Sequence, residues 1–223
     1  MPDTPQRSYA GQSAADRRSR RRARLIDTAL DAMAGDEWRV ITVDKICAAA
    51  GLNKRYFYES FTDLDALAAA TVDESAEAVR AATVQAVAGA VDAPIEEQAH
   101  AAVAALVQTL VGDPRRARVL LGGVAGSAAQ HHHHVAVMRG LTTVLVEHAR
   151  TVHDVELAAD PLAEVAPAFI IGGTADAILA FVDGRSHVAQ DELIDSLTTL
   201  WLLTGNGAAA VASARHHRLP HHH

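Results

Sequence analysis

One stretch of the chain decides its fold: residues 42–61 read TVDKICAAAGLNKRYFYESF. Thr42 and Asn53 each precede a short run of residues with helical spacing, and threonine and asparagine both act as helix N-caps. Between the two runs lies Gly51, and glycine adopts without strain the positive φ that a tight turn needs. The stretch therefore predicts two short helices joined by a glycine turn.

Longer helices are expected on both sides of this stretch. A first helix over residues 17–34 would place its apolar residues on one face, namely Leu25, Ile26, Ala29, Leu30 and Met33. Downstream, Thr62 is the expected N-cap, with Asp65 three residues later, of a long helix that runs toward Ala90. Two short helices propped on a first helix form a helix-turn-helix motif.

The remainder of the chain is predicted to be helical throughout. Segments rich in alanine, leucine and valine are separated by Asp-Pro and Gly pairs that end one helix and start the next. Sustained alternation of β-branched residues is not found, so the predicted fold class is all-α. Pro167 is expected to kink or delay the start of its helix. The expected segments are a disordered arm (1–16), a first domain (17–66), a larger helical domain (67–206) and a tail (207–223).

Composition favours a globular protein of the cytoplasm. The 223 residues are 49% hydrophobic and 21% charged, which is typical of a chain with a buried core. Cys47 is the one cysteine, so no internal disulfide can form, which fits a reducing compartment. The polar, basic N-terminus lacks the apolar run of a signal peptide. No stretch approaches the ~18–20 uninterrupted apolar residues of a membrane span, so no membrane partner is expected.

The net charge of −7 is divided unevenly along the chain. Residues 1–67 carry 11 Lys and Arg against 10 Asp and Glu, whereas residues 68–223 carry 9 against 17. Six arginines crowd into the eight positions Arg17–Arg24. A polyanion responds to this local potential rather than to the net charge. The run is either an arm laid along a nucleic-acid backbone or the solvated face of the first helix.

The stretch from Thr42 to Leu67 resembles the DNA-binding domain of TetR-family transcriptional regulators. The matching positions are Thr42, Ile46, Cys47, Ala50, Gly51, Leu52, Asn53, Tyr58, Phe61 and Leu67. Cys47 replaces the usual alanine and Asn53 the usual serine, while Leu64 replaces a lysine that usually contacts the DNA backbone. The resemblance covers residues 20–67 closely. It implies a three-helix helix-turn-helix domain followed by a larger helical ligand-binding and dimerisation domain.

The resemblance also implies which residues contact DNA. The N-terminal end of the second short helix enters the major groove, and Phe57 and Phe61, one turn apart, belong to the core. The expected DNA-binding residues are Arg22, Thr42, Asn53, Lys54, Arg55, Tyr56 and Tyr58. Arg55 either reads a guanine edge, contacts phosphate or is simply solvated.

The two most apolar helices, over 170–182 and 193–203, are expected to form the interface of a homodimer. A two-fold dimer matches the family and the symmetry of a palindromic operator, although a pairing within one chain would also cover these helices. The expected interface residues are Ile170, Gly172, Gly173, Ile178, Leu193, Leu197 and Trp201.

The effector is expected to be small and apolar. Six of the nine aromatic residues lie in residues 1–67, so an aromatic cage for a cation is not expected in the second domain. The polar candidates for contact with the effector are His100, Gln108, His148 and Thr174. The expected function is a repressor that binds a palindromic double-stranded DNA operator and is released by this effector.

Three alternatives stand beside this function. The run His131–His134 suggests a metal-responsive regulator, but consecutive histidines on a helix point in different directions and no Cys or carboxylate is close in sequence. A helical enzyme with a vestigial helix-turn-helix is a second alternative, yet no HExxH, GxSxG or phosphate loop is found. A partner-binding module is the third. No cofactor, metal or catalytic residue is therefore expected.

Overall fold

The structure, a computed structural model, describes residues 13–123, 127–152 and 160–216. Within these ranges the chain forms helices and turns without a strand, which confirms the all-α prediction. The helices are α1 (Ala14–Ala34), α2 (Val43–Ala50), α3 (Lys54–Tyr58), α4 (Leu64–Gly89), α5 (Ile95–Gly112), α6 (Pro114–Leu121), α7 (Ala128–Val152), α8 (Pro161–Val182) and α9 (Gln190–His216), with a 3₁₀ turn at Asp36–Val40.

Helices α1, α2 and α3 pack together around one small apolar core. Leu25 of α1, Ile46 of α2 and Phe57 of α3 are fully buried. The rings of Phe57 and Phe61 lie 6.0 Å apart, so the expected pair of core phenylalanines is confirmed. The start of α4 closes this core with Leu67, and the same helix then continues into the second group of helices.

The turn between α2 and α3 follows from the glycine and the caps. Gly51 has φ 61° and ψ 38°, the left-handed conformation, and Leu52 N–H donates to the Cys47 carbonyl at 2.9 Å. Thr42 Oγ1 accepts from Lys45 N–H, and Asn53 Oδ1 accepts from Tyr56 N–H. Both predicted N-caps are therefore confirmed.

Two helix starts differ from the predictions. Helix α1 begins at Ala14 because Ser13 and Asp16 form a reciprocal capping box, with Asp16 N–H donating to Ser13 Oγ at 3.0 Å. The prediction of a disordered arm was thus wrong for residues 13–16, and residues 1–12 lie outside the described part. Helix α4 is capped by Asp63 rather than Thr62, since Asp63 Oδ1 accepts from Ala66 N–H at 2.8 Å.

The C-terminal helix also differs from its prediction. Helix α9 continues to His216, so the tail predicted from residue 207 is helical over most of its length. Ala212 is buried, and Arg215 lies 3.2 Å from Asp160; these contacts hold the alanine-rich end in place. Residues 217–223 lie outside the described part. Pro167 does not delay α8, which begins six residues earlier.

Helix α5 lies at the centre of the second group of helices. It packs against α4 and α9 through Val103, Val107 and Leu110, which are fully buried. Helix α8, of 22 residues, is the one described helix whose length and composition would allow it to cross a membrane. A helix with apolar residues on more than one side is also found where other helices cover two of its sides.

The left-handed turn can be tested by substitution. Gly51→Ala is expected to lower the free energy of unfolding by about 1 to 2 kcal/mol, because an L-residue in this conformation is strained. The added Cβ would also lie 3.2 Å from a guanidinium nitrogen of Arg24. Urea denaturation measures the change. Gly35→Ala is the control, since its φ of −102° is open to any residue; equal losses in both variants would contradict the prediction.

Candidate nucleic-acid interface and ligand cavity

Helix α3 presents a basic, exposed edge because its phenylalanine side is buried. The side chains of Lys54 and Arg55 are 56% and 83% exposed, and Tyr58 is also exposed. Lys54 Nζ lies 2.8 Å from Asp44 Oδ1, and this hydrogen bond raises the pKa of Lys54 above its usual value. Surface ion pairs of this kind contribute little in water, so both side chains can exchange their partners for phosphate or a base.

Glu59 connects α3 to the arginines of α1. Its carboxylate accepts from Arg55 Nε at 3.1 Å and from an Arg21 guanidinium nitrogen at 3.5 Å. Its main-chain carbonyl accepts from Arg18 at 2.6 Å. The sequence interpretation missed these roles of Arg18 and Arg21. Their three-residue spacing shows that they share a face of α1, but only the structure shows that α3 lies against that face.

The arginine run belongs to a helix rather than to a detached arm, since Arg17–Arg24 lies within α1. The Arg21 guanidinium lies 4.2 Å from the ring centre of Tyr56, and that of Arg22 lies 5.2 Å from the ring of Phe61. Tyr56 was expected to be exposed; it is half-buried because Arg21 covers its ring.

A second set of contacts joins the 3₁₀ turn and the start of α4 to the start of α7. The Trp38 indole Nε1 donates to Gln130 Oε1 at 3.1 Å, and Gln130 Nε2 donates to Asp65 Oδ1 at 2.7 Å. Ser127 Oγ lies 3.2 Å from both oxygens of Asp65. These residues border an open, polar cleft of about 530 Å³. The start of α7 is thereby held to the helix-turn-helix.

Arg115 at the start of α6 joins that helix to α1. One guanidinium nitrogen lies 3.0 Å from Asp27 Oδ1 and 2.7 Å from Asp31 Oδ1, both on α1. The rest of the guanidinium makes two hydrogen bonds to Asp113, at 2.8 and 2.9 Å, and thereby lowers the pKa of that carboxyl. Helix α6 also contacts α8, because Arg118 lies 3.2 Å from Asp183 at the end of that helix.

An apolar cavity of about 110 Å³ lies among α4, α5, α6, α7, α8 and α9. Its lining is aliphatic except at a few positions, chiefly Arg80, Thr83, Thr174 and Trp201. Ligand pockets are usually enclosed and apolar with few polar groups, so this cavity fits a small ligand better than the larger polar cleft does.

The structure brings one of the four predicted effector contacts to this cavity. Thr174 lines it and is buried. His100 is exposed and lies 3.3 Å from Asp195, and Gln108 is exposed on a shallow groove between α4 and α5. Both lie away from this cavity because they point from α5 to solvent. His148 lies in the part of α7 whose side chains are not described.

Three of the predicted dimer residues are buried inside the protomer. Ile178 is fully buried, and Leu193 and Leu197 are 5% and 4% exposed, all in the core. Side chains buried this deeply fill the protomer core and leave almost no surface for contact with a second chain. Trp201 is half-buried and donates from Nε1 to Thr174 Oγ1 at 2.7 Å.

The opposite sides of α8 and α9 are exposed and apolar. We call this surface the outer apolar face; it consists of Val165, Phe169, Leu200, Leu203 and Val211, which are 44% to 70% exposed. The predicted interface glycines Gly172 and Gly173 are exposed on α8, with no atom of another helix near them, and Ile170 is half-buried.

The histidine run does not gather around one point. His133 Nε2 lies 2.8 Å from Asp73 Oδ1 on α4, and His134 Nε2 lies 2.6 Å from the Leu120 carbonyl on α6. His131 and His132 are exposed. Among the described residues, no group of three or more His, Cys, Asp or Glu side chains is placed to hold a metal ion.

Known structures share this arrangement over nearly their whole length. The fatty acid degradation regulator FadR of Bacillus halodurans has 17% identity and a TM-score of 0.64, over 83% of this chain and 98% of that one. A TetR-like regulator of Rhodococcus has 19% identity and a TM-score of 0.62, over 84% and 96%. A TetR-family regulator of Streptomyces coelicolor has 18% identity and a TM-score of 0.56, over 87% of this chain and 97% of that one.

These likenesses define the fold. The chain has the architecture of TetR-family transcriptional regulators, an N-terminal helix-turn-helix followed by a helical C-terminal domain. No protein-family model and no curated protein sequence matches it. The helix-turn-helix architecture expected from Thr42–Leu67 is therefore confirmed by structure, at 17% to 19% sequence identity to these neighbours.

The contact of Arg115 with Asp113 predicts a pH-dependent stability. Arg115→Gln is expected to lower the free energy of unfolding at neutral pH by roughly 1 kcal/mol, a charge-assisted hydrogen bond weakened by solvent at a side chain that is 33% exposed. The folded pKa of Asp113 lies below its unfolded value, so this stability is present above about pH 4 and is lost as the pH falls through the folded pKa. The difference from the wild type should therefore shrink at low pH in denaturant titrations.

Arg185→Gln is the control for this experiment, since Arg185 is 58% exposed and 3.8 Å from Asp183. It should change the stability little at either pH. A loss in Arg115→Gln that is the same at neutral and at low pH would contradict the role assigned to the Asp113 carboxylate.

Proposed function

We propose that this protein is a ligand-responsive transcriptional repressor that binds a palindromic operator as a homodimer. The observation that carries the proposal is the exposed basic edge of α3, with Phe57 buried beneath it and α1 arginines beside it. The shared fold supports it, because the solved neighbours are described as transcriptional regulators. A cytoplasmic, non-enzymatic role follows from the same proposal.

In the complex, the residues at the start of α3 contact the major groove. Arg55 reads a guanine edge after leaving Glu59, and Lys54 neutralises a phosphate after leaving Asp44. Thr42, Asn53 and Tyr58 contact the backbone beside them. The arginines of α1, including Arg22, supply phosphate contacts in place of the family lysine that Leu64 replaces. The ring of Tyr56 packs against the Arg21 guanidinium and thereby holds α3 in position.

The outer apolar face is the proposed dimer interface. In the single chain it exposes phenylalanine and leucine side chains to solvent. Exposed apolar patches of this kind usually mark an interaction site. Gly172 and Gly173 leave room for close approach of a helix from the second protomer. A two-fold pair of protomers then presents two copies of α3, as a palindromic operator requires.

The effector binds in the apolar cavity and acts through α6. Leu121 of α6 lines the cavity, while Arg115 at the other end of the helix holds α1. A ligand that prefers one position of α6 therefore shifts the balance between two orientations of the helix-turn-helix. The dimer loses the half-site spacing of its operator, and the repressor is released.

Two substitutions on α3 separate base recognition from phosphate contact. Arg55→Ala is expected to weaken binding to the operator by roughly five- to a hundredfold while scrambled DNA is affected less. Lys54→Ala is expected to weaken both duplexes alike and to lower the slope of log affinity against log salt by about one. Gel-shift titrations at two salt concentrations measure both effects.

The operator for this experiment is obtained by sequencing the DNA fragments that the purified wild-type protein retains. Arg185→Ala serves as the control, because it removes a positive charge from the end of α8, in the second group of helices. Equal losses on operator and scrambled DNA in Arg55→Ala would contradict its assigned role, and retained fragments without a palindrome would contradict the dimeric operator.

A charge on the outer apolar face should separate the protomers. Leu203→Glu is expected to weaken the dimer by roughly a hundredfold or more, because two-fold symmetry buries two unpaired carboxylates. Light scattering coupled to size exclusion measures the mass. Val91→Glu, at an equally exposed valine between α4 and α5, should leave the mass unchanged. A dimer that persists in Leu203→Glu at micromolar concentration would place the interface elsewhere.

A further inference from the structure

Thr174 differs from the other buried or half-buried helical threonines that form hydrogen bonds. Thr28, Thr71, Thr109 and Thr198 each donate from Oγ1 to the carbonyl four residues earlier, at 2.7 to 2.9 Å. Thr174 instead accepts from the Trp201 indole at 2.7 Å, and its own hydroxyl hydrogen finds no acceptor among the described residues. A buried donor without an acceptor is costly, so this group calls for a partner.

The free donor borders the apolar cavity. Thr174 is only 5% exposed, and the cavity beside it is otherwise lined mainly by aliphatic side chains such as Ile171, Ile178 and Leu106. A bound water needs two to four polar partners to be held well, which this lining does not offer. An apolar ligand with one oxygen acceptor would accept the hydrogen bond from Thr174 and pack against the aliphatic side chains of the lining.

On this basis, and resting on the proposed role as a ligand-responsive regulator, we propose that the cavity binds a small hydrophobic carbonyl compound. Its carbonyl oxygen accepts a hydrogen bond from Thr174 Oγ1, and Trp201 is the positioning residue that orients this hydroxyl. The indole N–H occupies a lone pair of the hydroxyl oxygen and thereby directs the hydroxyl hydrogen away from Trp201.

A carboxylate ligand fits this site less well than a neutral carbonyl. Arg80 is the one cationic side chain of the lining, and both of its hydrogen bonds to Glu77, at 2.6 Å, are already formed. A charged group beside Thr174 would be buried without a cation. The size of the cavity, about 110 Å³, also limits the buried part to a few carbon atoms, since an apolar cavity of about 150 Å³ takes benzene.

Cyclopentanone and cyclopentane are the matched probes, because they share a ring and differ in the carbonyl. The two tryptophans give two indole N–H signals in a ¹H–¹⁵N spectrum of the full-length protein. Trp201 reports on the cavity and Trp38, bonded to Gln130, is the internal reference. Trp201→Phe assigns the two signals, and titration of each probe gives its Kd.

Thr174→Val is expected to weaken the binding of cyclopentanone by roughly three- to tenfold, the effect of one lost hydrogen bond, and to leave the affinity for cyclopentane unchanged. Thr174→Ser keeps the hydroxyl and should keep the preference for the ketone. Thr198→Val is the control, since Thr198 is equally buried but donates to the Ile194 carbonyl. Thermal unfolding confirms that each variant is folded.

Several results would overturn the proposal. One is an unchanged ketone affinity in Thr174→Val; another is a loss that appears instead in Thr83→Val, whose threonine also lines the cavity. Failure of cyclopentanone to move the Trp201 signal would do the same. The gel shift keeps this outcome separate from the proposed function: retained operator binding with no ketone binding rejects only the ligand class, whereas absence of operator binding rejects the repressor.

Discussion

The burial of Phe57 is the constraint on which the proposed DNA interface depends. Helix α3 has only five residues, so its own hydrogen bonds do little to fix its orientation. Once the Phe57 ring is fully buried against Phe61, the rotation of α3 is set, because each residue advances about 100° around a helix. Arg55, about 200° from Phe57, must then face outward, and Lys54 is exposed at the first position of the helix. The exposed edge is a consequence of the core, and it needs no contact with DNA to form.

The basic side chains around α3 are paired with carboxylates within the protein. Glu59 accepts from arginines of both α1 and α3, and Asp44 accepts from Lys54. In the proposed complex with DNA, phosphates replace these carboxylates as partners of the basic side chains. The arginines of α1 are therefore not six free charges in the protein alone. This explains how a chain with a net charge of −7 can hold a basic surface in one place.

The first three helices could be predicted from sequence because their signals are local. A cap, a turn glycine and an apolar pair lie within 20 residues of each other, and each fixes its own neighbourhood. The second domain gave weaker signals. Helices α8 and α9 are apolar on more than one side, so periodicity could identify them as covered helices without showing which side meets α5 and which is left exposed. Ile178 and Leu193 were expected at an interface and lie in the protomer core for that reason.

Single polar residues on helices were harder still to place. His100, Gln108 and Thr174 have similar sequence surroundings, yet only Thr174 faces the cavity, because its position depends on how α8 packs against α9. Arg115 of α6 shows the same limit: the Asp113-Pro start predicts the helix, but not that Arg115 reaches across to α1.

Helix α6 is the element through which these parts are connected. It is eight residues long, about 12 Å, and it behaves as a rigid unit between its contacts. Leu121 lines the cavity at one end and Arg115 holds two aspartates of α1 at the other, while Arg118 contacts the end of α8. The same short helix therefore contacts the apolar cavity, α8, which carries part of the outer apolar face, and α1, whose arginines contact α3. A change in its position cannot be absorbed locally, because each of its contacts belongs to a different part of the molecule.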